Sequence, residues 1–287
     1  MDAMTHETAP LVPLVFNTFE SKRVRFSAAC FQGPGNELSL GPLKEPEDAR
    51  KHPLLTARLR SAMRHLGANR AYAPYPVNFN GVIIKPVELS KVFLLEPGML
   101  MFRNNNMPAD GTFLRQRGDA GIFSASGCSV IVAVLGDYVI FAHAGRDCVI
   151  NRKRVLGEPD ARPFESVVDN IVKAFLEFEG SEPVLSNIRA WVLYSIKPEN
   201  FVHRFDDEKH HVYNRLVVPH LETLGLVGGM QKSVEDVWLD IPTIAKLQFM
   251  QHGVPEQNIS LEHAYLSDEL PTTRNGGGRY LVAVVRH

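Results

Sequence analysis

Short apolar stretches alternate along the chain with turn-forming clusters, and their periodicity sorts them into strands and helices. Two-residue alternation and β-branched or aromatic runs predict strands at Arg23–Cys30, Gly81–Lys85, Lys91–Leu95, Ile188–Ile196 and Tyr280–Val285. Helical spacing predicts a helix over Leu54–Leu66, where Leu55, Leu59, Ala62, Met63 and Leu66 share one face and Gly67 caps the end. A second helix covers Phe164–Phe178, with Phe164, Val167, Val168, Ile171, Val172 and Phe175 in one stripe between Pro163 and Gly180. A third opens at Asp240, an N-cap followed by Pro242 in the first turn, and stops at Gly253. Residues 1–15, polar and then apolar around Pro10 and Pro13, read as a loose tail. No repeat or long linker divides residues 16–287, so the expected fold is a single mixed α/β domain.

The most informative stretch runs from Cys128 to Gly145. Two apolar strands flank Gly136-Asp137, a pair suited to the tight turn of a β-hairpin. Pairing Leu135 with Tyr138 sets His143 opposite Val130 and Cys128 opposite Gly145. Cys128 and His143 then become diagonal neighbours on one face, with backbones roughly 7–8 Å apart and side chains within reach. A thiol beside an imidazole can serve as a nucleophile with its base, or as two ligands of a metal. Asp119 and Asp147 are the carboxylates considered as orienting partners for the imidazole, and Arg58, Arg146, Arg274 and Arg279 as cations for an acidic group.

Composition narrows the function classes. There are 31 basic and 32 acidic residues, for a net charge of −1 without strong segregation of sign, which argues against a nucleic-acid partner. No apolar run is long enough to span a bilayer, and the N-terminus lacks a basic-plus-apolar signal, so no membrane partner is expected. The odd set Cys30, Cys128 and Cys148 has no disulfide-framework spacing, which suits a reducing compartment. A cytoplasmic location is expected, with export by a route lacking a cleaved signal left open. The run Asp206-Asp-Glu-Lys-His210-His211 has ligand-type residues but no periodicity, and reads as a solvated loop. Gly276-Gly-Gly278 lacks the Lys-Ser/Thr of a phosphate loop and reads as a turn.

Ala109-Asp110-Gly111, Ala125-Ser126-Gly127-Cys128 and His143-Ala144-Gly145-Arg146 follow one another at the intervals and in the order typical of the YfiH-like proteins, often labelled laccase-domain or polyphenol oxidase proteins. The sequence resembles that family over nearly its whole length, including Gly33–Gly41, Thr56–Gly67, Leu239-Asp240-Ile-Pro and Thr273-Arg274-Asn-Gly-Gly-Gly-Arg279. The resemblance implies a mixed α/β enzyme that holds zinc with two histidines and a cysteine and acts on purine nucleosides by phosphorolysis or adenosine deamination. Cys128 and His143 fall on two of those ligand positions. The third falls on Asn78, whose neutral amide is a poor zinc donor. Gly127 and Arg146-Asp147-Cys148 also depart from the family pattern.

These departures resemble another group in the same fold superfamily, the catalytic domains of cytotoxic necrotizing factors, which deamidate a glutamine without metal. Their signature is similar to Ser126-Gly127-Cys128 followed fifteen residues on by His143. The leading expectation is therefore a metal-independent cysteine hydrolase, an amidase or deamidase with no cofactor. In it Cys128 is the nucleophile, His143 the base, and Asn78, Ser126, Gly127, Arg146 and Arg274 bind substrate. The substrate would be a small amide or a protein glutamine. The alternative is a zinc enzyme of the purine nucleoside phosphorylase or adenosine deaminase type, with Cys128 and His143 as ligands and water, Asn78 or His263 completing the site. A third reading is an inactive relative used as a binding module.

Overall fold

The computed structural model describes residues 11, 13–21, 23–32, 38–76, 81–159, 166–179, 185–266 and 279–287. In chain order the strands are β1 (Pro13–Glu20), β2 (Arg25–Gln32), β3 (Arg70–Tyr72), β4 (Ile83–Ile84), β5 (Lys91–Glu96), β6 (Met99–Arg103), β7 (Gly111–Leu114) and β8 (Asp119–Ala125). They continue with β9 (Ser129–Leu135), β10 (Tyr138–Ala144), β11 (Arg189–Leu193), β12 (Val202–Arg204), β13 (Met230–Lys232), β14 (Asp236–Leu239), β15 (Ile259–Ser260) and β16 (Tyr280–Arg286). Two large sheets result, in the orders β1-β2-β16-β8-β3-β6-β5 and β15-β11-β9-β10-β7-β4, with a small third sheet β12-β14-β13.

Alternation along the strands decides how these sheets stack. In β9, Val130, Val132 and Val134 join Phe26, Ala28, Phe123 and Val282 of the other sheet in one buried cluster. The alternate residues Ile131, Ala133 and Leu135 face the opposite way, toward Ile171, Phe175, Val217 and Phe249 on the helices Val167–Glu179, His211–Thr223 and Ile241–Gln251. The outer face of the seven-stranded sheet, through Ala29, Phe31, Ile122 and Leu281, packs on Leu55, Leu59 and Met63 of the helix Pro53–Leu66. The layers run helix, sheet, sheet, helix, a single mixed α/β domain as the pattern predicts.

The hairpin register is the predicted one: Leu135 pairs with Tyr138 and His143 with Val130, around Gly136-Asp137. Helix signals also hold, with Gly67 left-handed at φ 68° and the Asp240 carboxylate accepting from the Thr243 N–H at 3.1 Å. Other boundaries differ. The expected tail runs into β1, which starts at Pro13 and pairs antiparallel with β2, so residues 13–15 belong to the sheet. β11 stops at Leu193 rather than Ile196, because Tyr194 turns to φ 63° and breaks the extended path. The start expected at Phe164 and the stop at Gly180 lie outside the described residues, as does Gly276-Gly-Gly278. Asp207 accepts from the Lys209 and His210 N–H groups at the start of the helix His211–Thr223, so the acid–histidine run is a helix entry. Among the described residues, no helix is long and apolar enough to cross a membrane.

Phe26 joins the two sheets: it is fully buried, stacks on Phe19 at 4.9 Å and meets the edge of Trp191 at 5.0 Å. Truncating such a ring costs about 3–5 kcal/mol. Phe26→Ala is therefore expected to lower the urea-unfolding free energy by about that amount, and a loss below ~1 kcal/mol would contradict this packing.

Candidate functional site

Cys128 and His143 stand at one end of the inter-sheet layer. His143 has the parity of Val139 and Phe141 along β10, and Phe141 stacks on Phe123 of the facing sheet at 4.6 Å. The same Phe123 lies against the imidazole at 5.8 Å. Cys128 sits one residue before β9, half-buried where its neighbours Gly127 and Ser129 are buried. Gly127 adopts φ 122°, a conformation that favours glycine, and so brings the chain out of β8 and into β9 within a few residues. The turn is tied from both sides: the Gly127 N–H donates to the Tyr280 hydroxyl at 2.9 Å, and the Gly127 carbonyl accepts from the Ile196 N–H at 3.2 Å. The Tyr280 hydroxyl in turn donates to the Tyr194 carbonyl at 3.2 Å, at the residue where the chain leaves β11. The Gly127 N–H is therefore already occupied within the protein.

The residue that orients His143 is Asp110. Antiparallel pairing of β10 with β7 sets Ala142 opposite Gly111, and the His143 N–H donates to the Asp110 carbonyl at 2.7 Å just beyond it. The side chains meet on the same line, with His143 Nδ1 3.1 Å from Asp110 Oδ1. The second carboxylate oxygen accepts from the Gly81 N–H at 2.7 Å, and the Cys148 thiol donates to Oδ1 at 3.2 Å. Cys148 Sγ is also 3.3 Å from His143 Nδ1. Asp119 and Asp147 do other work: Asp119 pairs with Arg70 and accepts from the Arg115 and Gln116 N–H groups, and Asp147 pairs with Arg146.

Opposite Asp110, the other edge of the imidazole faces Cys128. An added Cβ at Gly145 would stand 3.1 Å from His143 Nε2 and 3.3 Å from Cys128 Sγ, which places thiol and ring against each other across a residue with no side chain. Electrostatics follow from this line. Burial by itself pushes the Cys128 thiol up, but the charge and hydrogen bond of His143, with the charge of Arg279, hold it below its ordinary value. Burial likewise disfavours the imidazolium, yet the negative partners around His143 raise it well above the usual imidazole range. Burial keeps Cys148 protonated, so Cys128 and Asp110 are the partners that favour the imidazolium. Cys30, fully buried, is pushed up to about 12 by burial alone.

Two cavities open on Cys128. One, of about 330 Å³, is lined among others by Ser126, His143, Tyr75, Arg103, Phe123 and Arg279. The second, of about 460 Å³, lies toward Arg146, Asp147, His203, Asp207 and Asn214. Arg146 is held there by Asp147 at 2.7 Å and by the face of Tyr213 at 4.6 Å. Cys128, His143, Ser126, Gly127 and Arg146 are thus brought together around one thiol, while Asn78 and Arg274 lie outside the described residues. His263 packs on Asn17 and Phe19 and lines neither cavity.

Asp110, His143 and Cys148 offer one oxygen, one nitrogen and one sulfur within 4.8 Å of one another, a group that could hold a metal ion. All three are buried, at 0%, 4% and 0% exposure, and each donates to or accepts from another. A catalytic zinc needs an open coordination position. Of the trio only His143 lines a cavity, while Asp110 and Cys148 line neither. The side that faces a cavity is the one shared by Cys128 and His143 Nε2.

No protein-family model and no curated protein matches the sequence. Solved structures do. The hypothetical protein YfiH of Bacillus licheniformis superposes with a TM-score of 0.60 at 14% identity, over 93% of this chain and 97% of its own. YlmD from Geobacillus stearothermophilus gives 0.62 at 17% identity, over 94% and 98%. A Neisseria meningitidis protein of the DUF152 family gives 0.58 at 16%, over 94% and 98%. Across nearly its full length, the chain has the YfiH-like fold.

Proposed function

We propose that the chain is a cysteine hydrolase that cleaves an amide, with Cys128, His143 and Asp110 acting as nucleophile, base and orienting carboxylate. The observation that carries this reading is the unbroken line from the Asp110 carboxylate through the imidazole to a half-buried thiol at a cavity. Asp110 fixes the proton on Nδ1 and directs Nε2 at Cys128, the tautomer a general base requires. The Cys128 thiolate attacks the amide carbon while the imidazolium gives its proton to the departing nitrogen, so the C–N bond breaks and a thioester forms. Water, deprotonated by His143, then attacks the thioester. The acid leaves and the thiol is restored. The ring against Phe123 is dry on one side, which strengthens the ion pair.

Zinc is the second reading, supported by the buried oxygen–nitrogen–sulfur group and by donors at Cys128 and His143. Bound between those two side chains, the ion would polarise water or a substrate oxygen, with Asp110 fixing the imidazole from behind. Metal analysis of protein expressed with zinc and without a histidine tag separates the sites. The hydrolase reading expects no stoichiometric zinc. About one ion per chain lost in Cys128→Ala would favour the zinc enzyme, and an ion lost only in Cys148→Ala would place it in the buried trio.

Thiol chemistry supplies two further expectations. Alkylation by iodoacetamide follows the thiolate, and Cys128 is held below the ordinary thiol value, so its rate should rise with pH to a midpoint below that of a free thiol. Asp110→Asn removes the charge that helps keep the imidazolium protonated. The midpoint should then move up, and the rate at neutral pH fall about tenfold. A Cys128 that reacts no faster than the buried Cys30 would sink the proposal.

Gly145, at φ −70°, has a backbone any residue accepts, so Gly145→Ala should keep the fold, with a loss of about 1–3 kcal/mol from overpacking. Its Cβ would fall 2.9 Å from the His143 ring carbon Cε1. The imidazole is pinned by Asp110 and cannot retreat. Cys128 alkylation at neutral pH should drop about tenfold or more, and an unchanged rate would show that the two side chains do not meet across this glycine.

A further inference from the structure

Several arginines lie around Cys128, and one stands apart. Arg146 is paired with Asp147 at 2.7 Å, and Arg279 is exposed. Arg103, the last residue of β6, is 2% exposed and lines the same cavity as Cys128 and His143. Its partners are neutral: Nε donates to Asn105 Oδ1 at 2.8 Å, Nη1 reaches the Ala73 carbonyl only at 3.5 Å, and the guanidinium lies 4.9 Å from the centre of the Tyr75 ring. Among the described residues, no carboxylate is within ion-pair distance of Arg103. Burial draws its pKa down only to about 10, so the group stays charged at neutral pH.

A cation withdrawn from water without a counter-ion is costly, and an anion that enters beside it offsets the cost. Guanidinium also has the fork geometry that takes carboxylate or phosphate oxygens in pairs. The Asn105 bond fixes the group at its Nε edge, and Asn105 is itself anchored through Nδ2 to the Lys44 carbonyl at 2.8 Å. The side chain is therefore oriented before any ligand arrives.

We propose that Arg103 is the anion-recognition residue of this cavity, and that the molecule presented to Cys128 is a small amide bearing a carboxylate or a phosphate. A volume of about 330 Å³ is at the small end of ligand sites, which suits such an acid. The cleavage step rests on the reading of Cys128 as nucleophile; anion binding by Arg103 does not.

Iodoacetate and iodoacetamide are near-isosteric, and only the first is charged, so the ratio of their rates at Cys128 reads out the anion site. That ratio should fall about tenfold in Arg103→Gln, as expected for loss of a charged hydrogen bond. It should be largely kept in Arg103→Lys and fall less in Arg279→Gln, whose charge is exposed to solvent, than in Arg103→Gln. A strut that merely joined Asn105 to Ala73 would alter melting temperature without altering the ratio. An equal ratio in parent and Arg103→Gln, or a fall in Arg279→Gln alone, would overturn the inference while leaving the nucleophile in place. Thermal melting with inorganic phosphate or malonate gives a second readout, which separates the two acids and is independent of the thiol. If Cys128 reacts with neither reagent, the hydrolase reading fails and melting decides. A rise in melting temperature that Arg103→Gln abolishes sustains the anion site, and no rise in the parent overturns it.

Discussion

A buried imidazole has two nitrogens to satisfy, and the site is organised by how His143 meets that demand. One nitrogen faces Asp110 at 3.1 Å and the other faces Cys128. His143 is 4% exposed, so the ring depends on these two partners rather than on bulk water. The arrangement depends on strand pairing. β10 lies between β9, which delivers Cys128, and β7, which delivers Asp110. Alternation keeps His143 on the inter-sheet face, against Phe123 from the opposite sheet. A slip of one residue in either pairing would turn a functional side chain to the wrong face.

Much of this was legible in local sequence, and the part that was not has a common cause. The hairpin register could be read because Gly136-Asp137 fixes the turn and each strand has only one partner to consider there. The helices at Pro53–Leu66 and Ile241–Gln251 carried their caps in the chain. Asp110, in Ala109-Asp110-Gly111, carries no local sign of its role, because its placement depends on β7 joining β10 across an intervening strand that goes to the other sheet. Nothing within a dozen residues of Asp110 announces that pairing. Asp119 and Asp147 lie nearer to the hairpin in sequence, but each is consumed by an arginine. β1 was hidden for a related reason: as an edge strand it leaves Leu14 and Phe16 half-exposed, so its pattern resembles a tail.

The fold and the chemistry are separable here. The fold supplies two stacked sheets, and this chain adds a tight glycine turn and a strand-borne histidine between them, a frame that suits either a thiol nucleophile or a metal ligand. Local chemistry tilts the choice. Cys148 is kept protonated by burial, whereas Cys128, half-buried, is driven toward the thiolate by the same imidazole. The two cavities that meet at Cys128 have different characters: one holds a buried arginine without an acid partner among the described residues, and the other an arginine already neutralised by Asp147.

The account stands or falls on the ionic state of Cys128. Thiolate formation can be followed directly by its ultraviolet absorbance across pH, taking the difference between the parent and Cys128→Ser so that Cys30 and Cys148 cancel. The account predicts one thiolate that forms below the ordinary thiol range and, in His143→Gln, moves above it because burial is then unopposed. A Cys128 that titrates at or above the value of a free thiol in the parent chain would contradict it.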